Sequence, residues 1–302
     1  MEILACDVSK ANLEVFDGSS SKEVKNKPGD IEALLSSHPK AVVVCEPTGR
    51  YHYLLVEAAV RLGHRVYLVN PREAKSYKES LSFRAKTDVL DARYLYEYVR
   101  RNSDLLRPYR PVAKELAELR ELLGRRHGVV EARTALTQSL GKKLSASEQA
   151  LLSSFDAVLR DIEARMEAIA LRYPTYKLVK SIPGVGRISG CALVYVLEAK
   201  AFENADQLVA FLGLDVRIRQ SGRYRGLEKL SKRGDPILRF LICFAGRSLL
   251  NSLLGRDKRR RLEDQGRKFP ERMVIGARKI LRTAFQLHKT QTAFNTAKWS
   301  WA

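Results

Sequence analysis

An α/β domain at the N-terminus followed by a mainly helical remainder is the fold class this sequence predicts, and three observations carry that expectation. Short apolar runs that stop at turn residues alternate with helical patterns over residues 1–110. A heptad seam runs through 111–175, and glycine turns between apolar helices mark 176–302. Runs of four to six apolar residues read as buried strands, whereas a 3.6-residue period reads as helix.

Taken in order, Ile3–Asp7 and Asn12–Phe16 read as a hairpin across Val8-Ser-Lys-Ala11. Ile31–Ser36 is a short helix, Ala41–Cys45 a buried strand, Tyr53–Leu62 a helix and Arg65–Val69 a strand stopped by Asn70-Pro71. Leu90–Arg100 continues as a helix with Leu90, Tyr94 and Val99 inward. This β-β-α-β-α-β order predicts a mixed sheet of the ribonuclease-H type. Leu116, Leu119 and Leu123 open a long helix. Leu152, Phe155, Leu159, Ile162, Met166 and Ile169 then repeat at three and four, with Ser145-Ala-Ser147 as the break. Such a seam suits an intramolecular helical hairpin and an intermolecular coiled coil equally. Ser181-Ile-Pro-Gly-Val-Gly186 ahead of helix Ile188–Leu197 resembles a helix-hairpin-helix element, whose Gly184 and Gly186 would let backbone N–H groups approach phosphates. A plain glycine turn between two helices fits as well.

Of 302 residues, 54 are Lys or Arg and 34 are Asp or Glu, a net charge of +20. That excess points to nucleic acid as partner. With 45% hydrophobic and 29% charged residues the composition is that of a globular protein without a membrane span. Without a signal-peptide pattern the expected location is the cytoplasm, at the nucleoid. Cys6, Cys45, Cys191 and Cys243 lie far apart in apolar surroundings, which argues for buried thiols and against zinc.

Four carboxylates carry the chemistry. Asp7 and Glu46 each end an apolar run, at the sheet edge where open α/β sheets place ligands. Asp88 and Asp91 are spaced three apart, on one helix face. Singly, each reads as a cap or turn residue. As a converging set they would repel, and divalent metal relieves that repulsion; a Mg²⁺ pair is the usual device for cutting phosphodiesters. A second signal lies between Arg217 and Arg239, where eight basic residues stand among glycines against two acids. Arg217, Arg219, Arg223, Arg225, Lys232 and Arg233 are the candidate phosphate contacts.

These motifs jointly resemble a known family. Asp7, Cys45-Glu-Pro-Thr-Gly49 and Lys86-Thr-Asp-Val-Leu-Asp-Ala92 are similar to the first domain of DEDD transposases of the insertion-sequence one-ten family, relatives of the Piv-type invertases. Ile182–Gly186, Phe211-Leu-Gly-Leu214, Ser221-Gly222 and Leu230–Asp235 with Arg239 resemble that family's C-terminal domain. The resemblance implies a RuvC-like domain over 1–110, a coiled-coil linker over 111–175 and a transposase domain over 176–302. It implies that Asp7, Glu46, Asp88 and Asp91 hold two Mg²⁺ ions, for which Mn²⁺ can substitute. It also implies a serine nucleophile, Ser221 with Ser231 in reserve, and a phosphoserine intermediate. The implied partners are double-stranded donor and target DNA, a structured non-coding guide RNA, and further copies of the chain in a dimer or tetramer. Two rivals stand beside this reading: a RuvC-like structure-specific endonuclease using water, and a non-catalytic nucleic-acid-binding protein whose acids only cap helices.

Overall fold

The computed structural model describes residues 2–80, 88–104, 106–141, 143–217, 220–221, 224–225 and 229–301. Its contacts separate two compact units, Met1–Pro111 and Val112–Ala302. The first unit contains β1 (Ile3–Val8), β2 (Asn12–Phe16), β3 (Ser21–Lys25), α1 (Pro28–Ser37), β4 (Val42–Cys45), α2 (Tyr53–Arg61), β5 (Arg65–Leu68), α3 (Pro71–Ser80) and α4 (Asp88–Asn102). The five strands form one mixed sheet in the order β3-β2-β1-β4-β5. β1, β4 and β5 run parallel, while β2 and β3 fold back antiparallel at one edge.

Strand periodicity explains why helices cover both faces. Leu4, Cys6, Val43 and Cys45 pack with Leu35 of α1 and Leu55 of α2. The alternate residues Ile3, Ala5, Val42 and Val44 pack with Ala74 of α3 and with Leu95 and Val99 of α4. A strand buried on both faces reads as a continuous apolar run, which is how β1 and β4 announce themselves. Two elements carry no such signal. β3 is Ser-Lys-Glu-Val-Lys, an edge strand exposed except at Val24, and its charges suit an edge that must not pair further. α3 is strongly polar and buries Ala74.

The second unit contains α5 (Lys114–Leu140), α6 (Ala146–Ala170), α7 (Pro174–Lys180), α8 (Arg187–Ala199) and α9 (Ala205–Phe211). Four two-residue strands follow: β6 (Val216–Arg217), β7 (Gln220–Ser221), β8 (Tyr224–Arg225) and β9 (Lys229–Leu230). The chain then forms α10 (Pro236–Asn251), α11 (Arg256–Asp264) and α12 (Phe269–Thr290). α5 and α6 form an antiparallel hairpin within the chain. Glu115–Arg172, Glu118–Arg165, Arg126–Glu163 and Arg133–Asp156 bridge the two helices in opposite order along each. Ser145 caps α6 reciprocally with Glu148, which fixes the break where the sequence places it. The base of this hairpin, from Leu116, Leu119 and Leu123 to Met166 and Ile169, lies in the same core as α8, α10 and α12. Residues 111–175 thus share their apolar core with 176–302.

α10 and α12 cross at Gly246 and Gly276, where the backbones touch. A Cβ at Gly276 would collide with the carbonyl of Gly246, and one at Gly246 with the backbone of Met273 and Ala277. Among the described residues no single helix is long and apolar enough to cross a membrane. Gly276→Val is expected to force this crossing apart and cost more than ~3 kcal/mol. Chemical denaturation measures it, and an unchanged midpoint would contradict the close crossing.

Candidate active site

Alternation along β1 and β4 decides where the acids go. Asp7 shares the face of Ile3 and Ala5, and Glu46, one residue beyond β4, continues the face of Val42 and Val44. The register pairs Cys6 with Cys45, so the two acids are the next residues along neighbouring parallel strands, whose backbones run ~4.8 Å apart. The layer over this face is α4, which starts at Asp88 and carries Asp91 one turn later. The side chain of Asp88 lies outside the described residues.

Asp91 is largely buried and bound by Lys78 of α3, with Nζ 2.8 Å from Oδ1. Glu46 meets the same pair. Burial pushes its carboxyl above the usual range, the Lys78 ammonium draws it back, and the Asp91 carboxylate pushes it up. Two carboxylates and one ammonium therefore share a half-buried site at the carboxyl edge of the sheet. Among the described residues no three Asp, Glu, His or Cys side chains converge closely enough to hold a metal by themselves. Lys78 is absent from the sequence reading because its polar run, Pro71–Ser80, has no apolar stripe. The alternation of Ala74 with Tyr77 and Lys78 was the available helical signal.

Below this site Cys6 and Cys45 stay protonated. Burial raises both thiols, that of Cys45 to about 12. They are core residues, as their spacing suggests.

The serines belong to the second unit. β6 pairs with β9 and β7 with β8, with Ser221 opposite Tyr224 and Val216 opposite Leu230. Ser221 is thus the last residue of β7, at the far end of these pairings, and Ser231 directly follows the near end. The side chains of Ser221, Arg217 and Arg225, and all of Arg219 and Arg223, lie outside the described residues. Ser231 is buried. Its hydroxyl donates to the Asp215 carboxylate, its N–H donates to the Asp215 carbonyl at 2.9 Å, and its Oγ accepts the Arg233 N–H at 3.4 Å. Lys232 and Arg233 are exposed.

The rest of the motif is scaffolding. Asp235 caps α10, accepting from the N–H groups of Ile237 and Leu238, and receives Arg120 Nε of α5 at 2.6 Å. Arg239 donates to the carbonyls of Leu212 and Arg233 at 3.2 and 3.4 Å. Gly184, at φ +89°, packs so tightly on α10 that a Cβ would strike the backbone of Leu249. The Gly186 N–H donates to Ser189 Oγ at 3.0 Å. Packing thus demands glycine at 184, in the turn between α7 and α8, and leaves a Cβ room at 186.

The raised Glu46 carboxyl has a stability consequence with a definite sign. A carboxyl whose folded pKa lies above its unfolded value, ordinarily ~4.3, opposes folding as pH rises through that window. Glu46→Gln is therefore expected to raise the Tm of the metal-free protein at pH 7 by ~1–3 °C and to have no such effect below pH 4. Calorimetry at both pH values checks this, and equal shifts would remove the electrostatic explanation.

Comparison with known proteins places most of the chain. Residues 6–147 match the model of the DEDD transposase domain of IS110, and residues 176–261 match that of the IS116/IS110/IS902 transposase family. A transposase for insertion sequence element IS1111A from Coxiella burnetii is 27% identical over 67% of this chain and 64% of its own length. A probable family 20 transposase from Pseudomonas aeruginosa is 26% identical over 74% of this chain and 75% of its own. The pilin gene-inverting protein of Moraxella lacunata is 26% identical over 60% of this chain and 58% of its own. The matched stretch covers less than two thirds of the Coxiella and Moraxella relatives. With both models matched in order, the first running through α5 and the second from α7 onward, the chain belongs to the IS110/IS116/IS902 family of insertion-sequence transposases.

Proposed function

We propose that this protein is a DNA recombinase of insertion-sequence type, cutting and rejoining strands through a phosphoserine intermediate. The observation that carries the proposal is the convergence of Glu46 and Asp91, with Asp7 on the same sheet face, around the positive charge of Lys78. The order β3-β2-β1-β4-β5, with acids on the first strand, after the fourth and on the helix above, supports a RuvC-like reading of this unit.

The donor set fits a hard divalent cation. Carboxylate oxygens are the ligands such ions take, and the Lys78 ammonium already pairs with Asp91 and acts on Glu46. Asp7, Glu46, Asp88 and Asp91 would hold Mg²⁺, two ions with Mn²⁺ as substitute, and Lys78 would give up its place. When bound, the ions supply charge neutralisation at the scissile phosphate.

Ser221 is the nucleophile we assign. Its hydroxyl oxygen forms a bond to phosphorus as the bond to the departing deoxyribose oxygen breaks. The serine proton leaves to a base, and the departing oxygen takes up a proton as a free hydroxyl. Rejoining reverses the step with a hydroxyl from another strand, so no phosphodiester energy is lost. Ser231 suits this role poorly, because its hydroxyl is buried and committed to Asp215. Lys232 and Arg233, exposed at the near end of the arm that runs from β6 to β9, would take phosphates. The basic surplus, +20 overall, accommodates donor DNA, target DNA and a structured guide RNA, and exchange of several strand ends calls for more than one copy of the chain.

The decisive assay mixes the protein, Mg²⁺, RNA from the element's flanking region and labelled donor and target DNA. Products are resolved before and after protease. A protease-sensitive adduct lost in Ser221→Ala and retained in Ser231→Ala is expected. Free hydrolysed ends in all three proteins would instead indicate an endonuclease that uses water. Ser231→Ala is expected to cost ~1–3 kcal/mol of stability, because Asp215 loses its donor. Mg²⁺ is expected to raise the Tm of wild type and leave that of a Glu46→Gln, Asp91→Asn double variant unmoved; equal shifts would place the ion elsewhere.

A further inference from the structure

The basic run Lys258-Arg-Arg-Arg261 takes no part in the chemistry above, yet the fold gives it a setting. α11 leaves α10 at 99°, and α12 returns across α10 at the glycine crossing. A cleft opens among the three helices, lined by Arg247 and Asn251 of α10, Arg259 and Glu263 of α11, and Phe269 and Arg272 of α12. The Phe269 ring is 49% exposed, with the guanidinium carbons of Arg247 and Arg272 at 5.4 and 6.0 Å from its centroid.

Internal pairing explains part of this arrangement. Glu263 binds Arg272 and lies 3.9 Å from Arg259 Nε, and Arg259 Nη1 donates to Asn251 Oδ1 at 2.8 Å. The remainder is unanswered within the described residues. Arg259 Nε is buried with no hydrogen-bond acceptor, and exposed Arg247 has no carboxylate within ion-pair distance. Three guanidiniums face one carboxylate, and from Arg247 to Arg272 nine basic residues stand against four acids. The cleft therefore offers unsatisfied donors, surplus positive charge and an aromatic face side by side.

We propose that this cleft binds an unpaired nucleotide, its base stacked on Phe269 and its phosphate held by Arg247 and Arg259. A simple anion would make no use of an exposed ring. A duplex keeps its bases stacked inward and presents phosphates alone. Stacking on an aromatic face beside arginine is the recurrent way of gripping a single strand, and it tolerates any base. The proposal rests on nucleic acid being the partner and adds to that reading a place where a strand is held open, built from residues other than the acids and the serines.

The test measures fluorescence anisotropy of the full chain with labelled oligo-deoxythymidine, oligo-uridine and a duplex of equal length. Phe269→Ala and Arg247→Gln are compared with wild type, with retained helicity checked by circular dichroism. Each variant is expected to bind both single strands about 10-fold more weakly and the duplex unchanged. Arg247→Gln is also expected to lower the salt dependence by about one phosphate contact. Unchanged single-strand affinity in both variants, or an equal loss for the duplex, would overturn the cleft assignment. Failure of wild type to bind any of the three probes would overturn the nucleic-acid reading itself. A loss confined to uridine or to thymidine supports the cleft and names RNA or DNA as the strand's source.

Discussion

The parallel pairing of β1 with β4 is the constraint on which the first unit depends. Because Cys6 stands beside Cys45, the next residue on each strand is an acid, and both acids continue the face that α4 covers. Side chains alternate with period two, so a slip of one residue in either strand would turn its acid toward α1 and α2 and bury a carboxylate among Leu35 and Leu55. The burial of valines on both faces makes that slip costly. The same apolar runs that make the sheet stable thus fix the acids in place, and no separate device is needed to orient them.

The second unit works differently, holding its arm by polar ties. Asp235 joins the start of α10 to α5, Arg239 gathers the carbonyls of Leu212 and Arg233, and Ser231 locks onto Asp215. A run that looks uniformly basic in sequence is therefore divided. Arg239 serves the fold from a partly buried position, while Lys232 and Arg233 stand exposed at the arm's near end. Charge in the sequence did not separate these roles; hydrogen-bond partners do.

What could be read beforehand followed the strength of each local signal. β1, β4 and the α5–α6 hairpin were legible because apolar runs and a heptad seam leave few alternatives. The seam alone could not decide between a partner chain and a neighbouring helix, and the opposite order of the four bridges resolves it within the chain. β3 and α3 were missed because their residues are mostly solvent-facing: no period of 2 shows in β3, and α3 offers only the spacing of Ala74, Tyr77 and Lys78 as a trace of helix. Of the acids, the meeting of Glu46 with Asp91 needed three dimensions, and Lys78 between them was invisible in a polar run. Gly184 invited a phosphate-contact reading; what the sequence did not reveal is that Leu249 packs against it and leaves no room for a Cβ.

The α5–α6 hairpin has a mechanical consequence. α5 is 27 residues long, about 40 Å, yet its buried leucines all fall between Leu116 and Leu123. It is a cantilever clamped at one end. Beyond the clamp its two arms are joined by buried Leu152 and Ile162 and by the pairs Arg126–Glu163 and Arg133–Asp156, so part of the coupling weakens as ionic strength rises. A small rotation at the clamp is magnified several-fold at the free tip near Gly141. A displacement at the clamp too slight to register there is therefore readable at the tip.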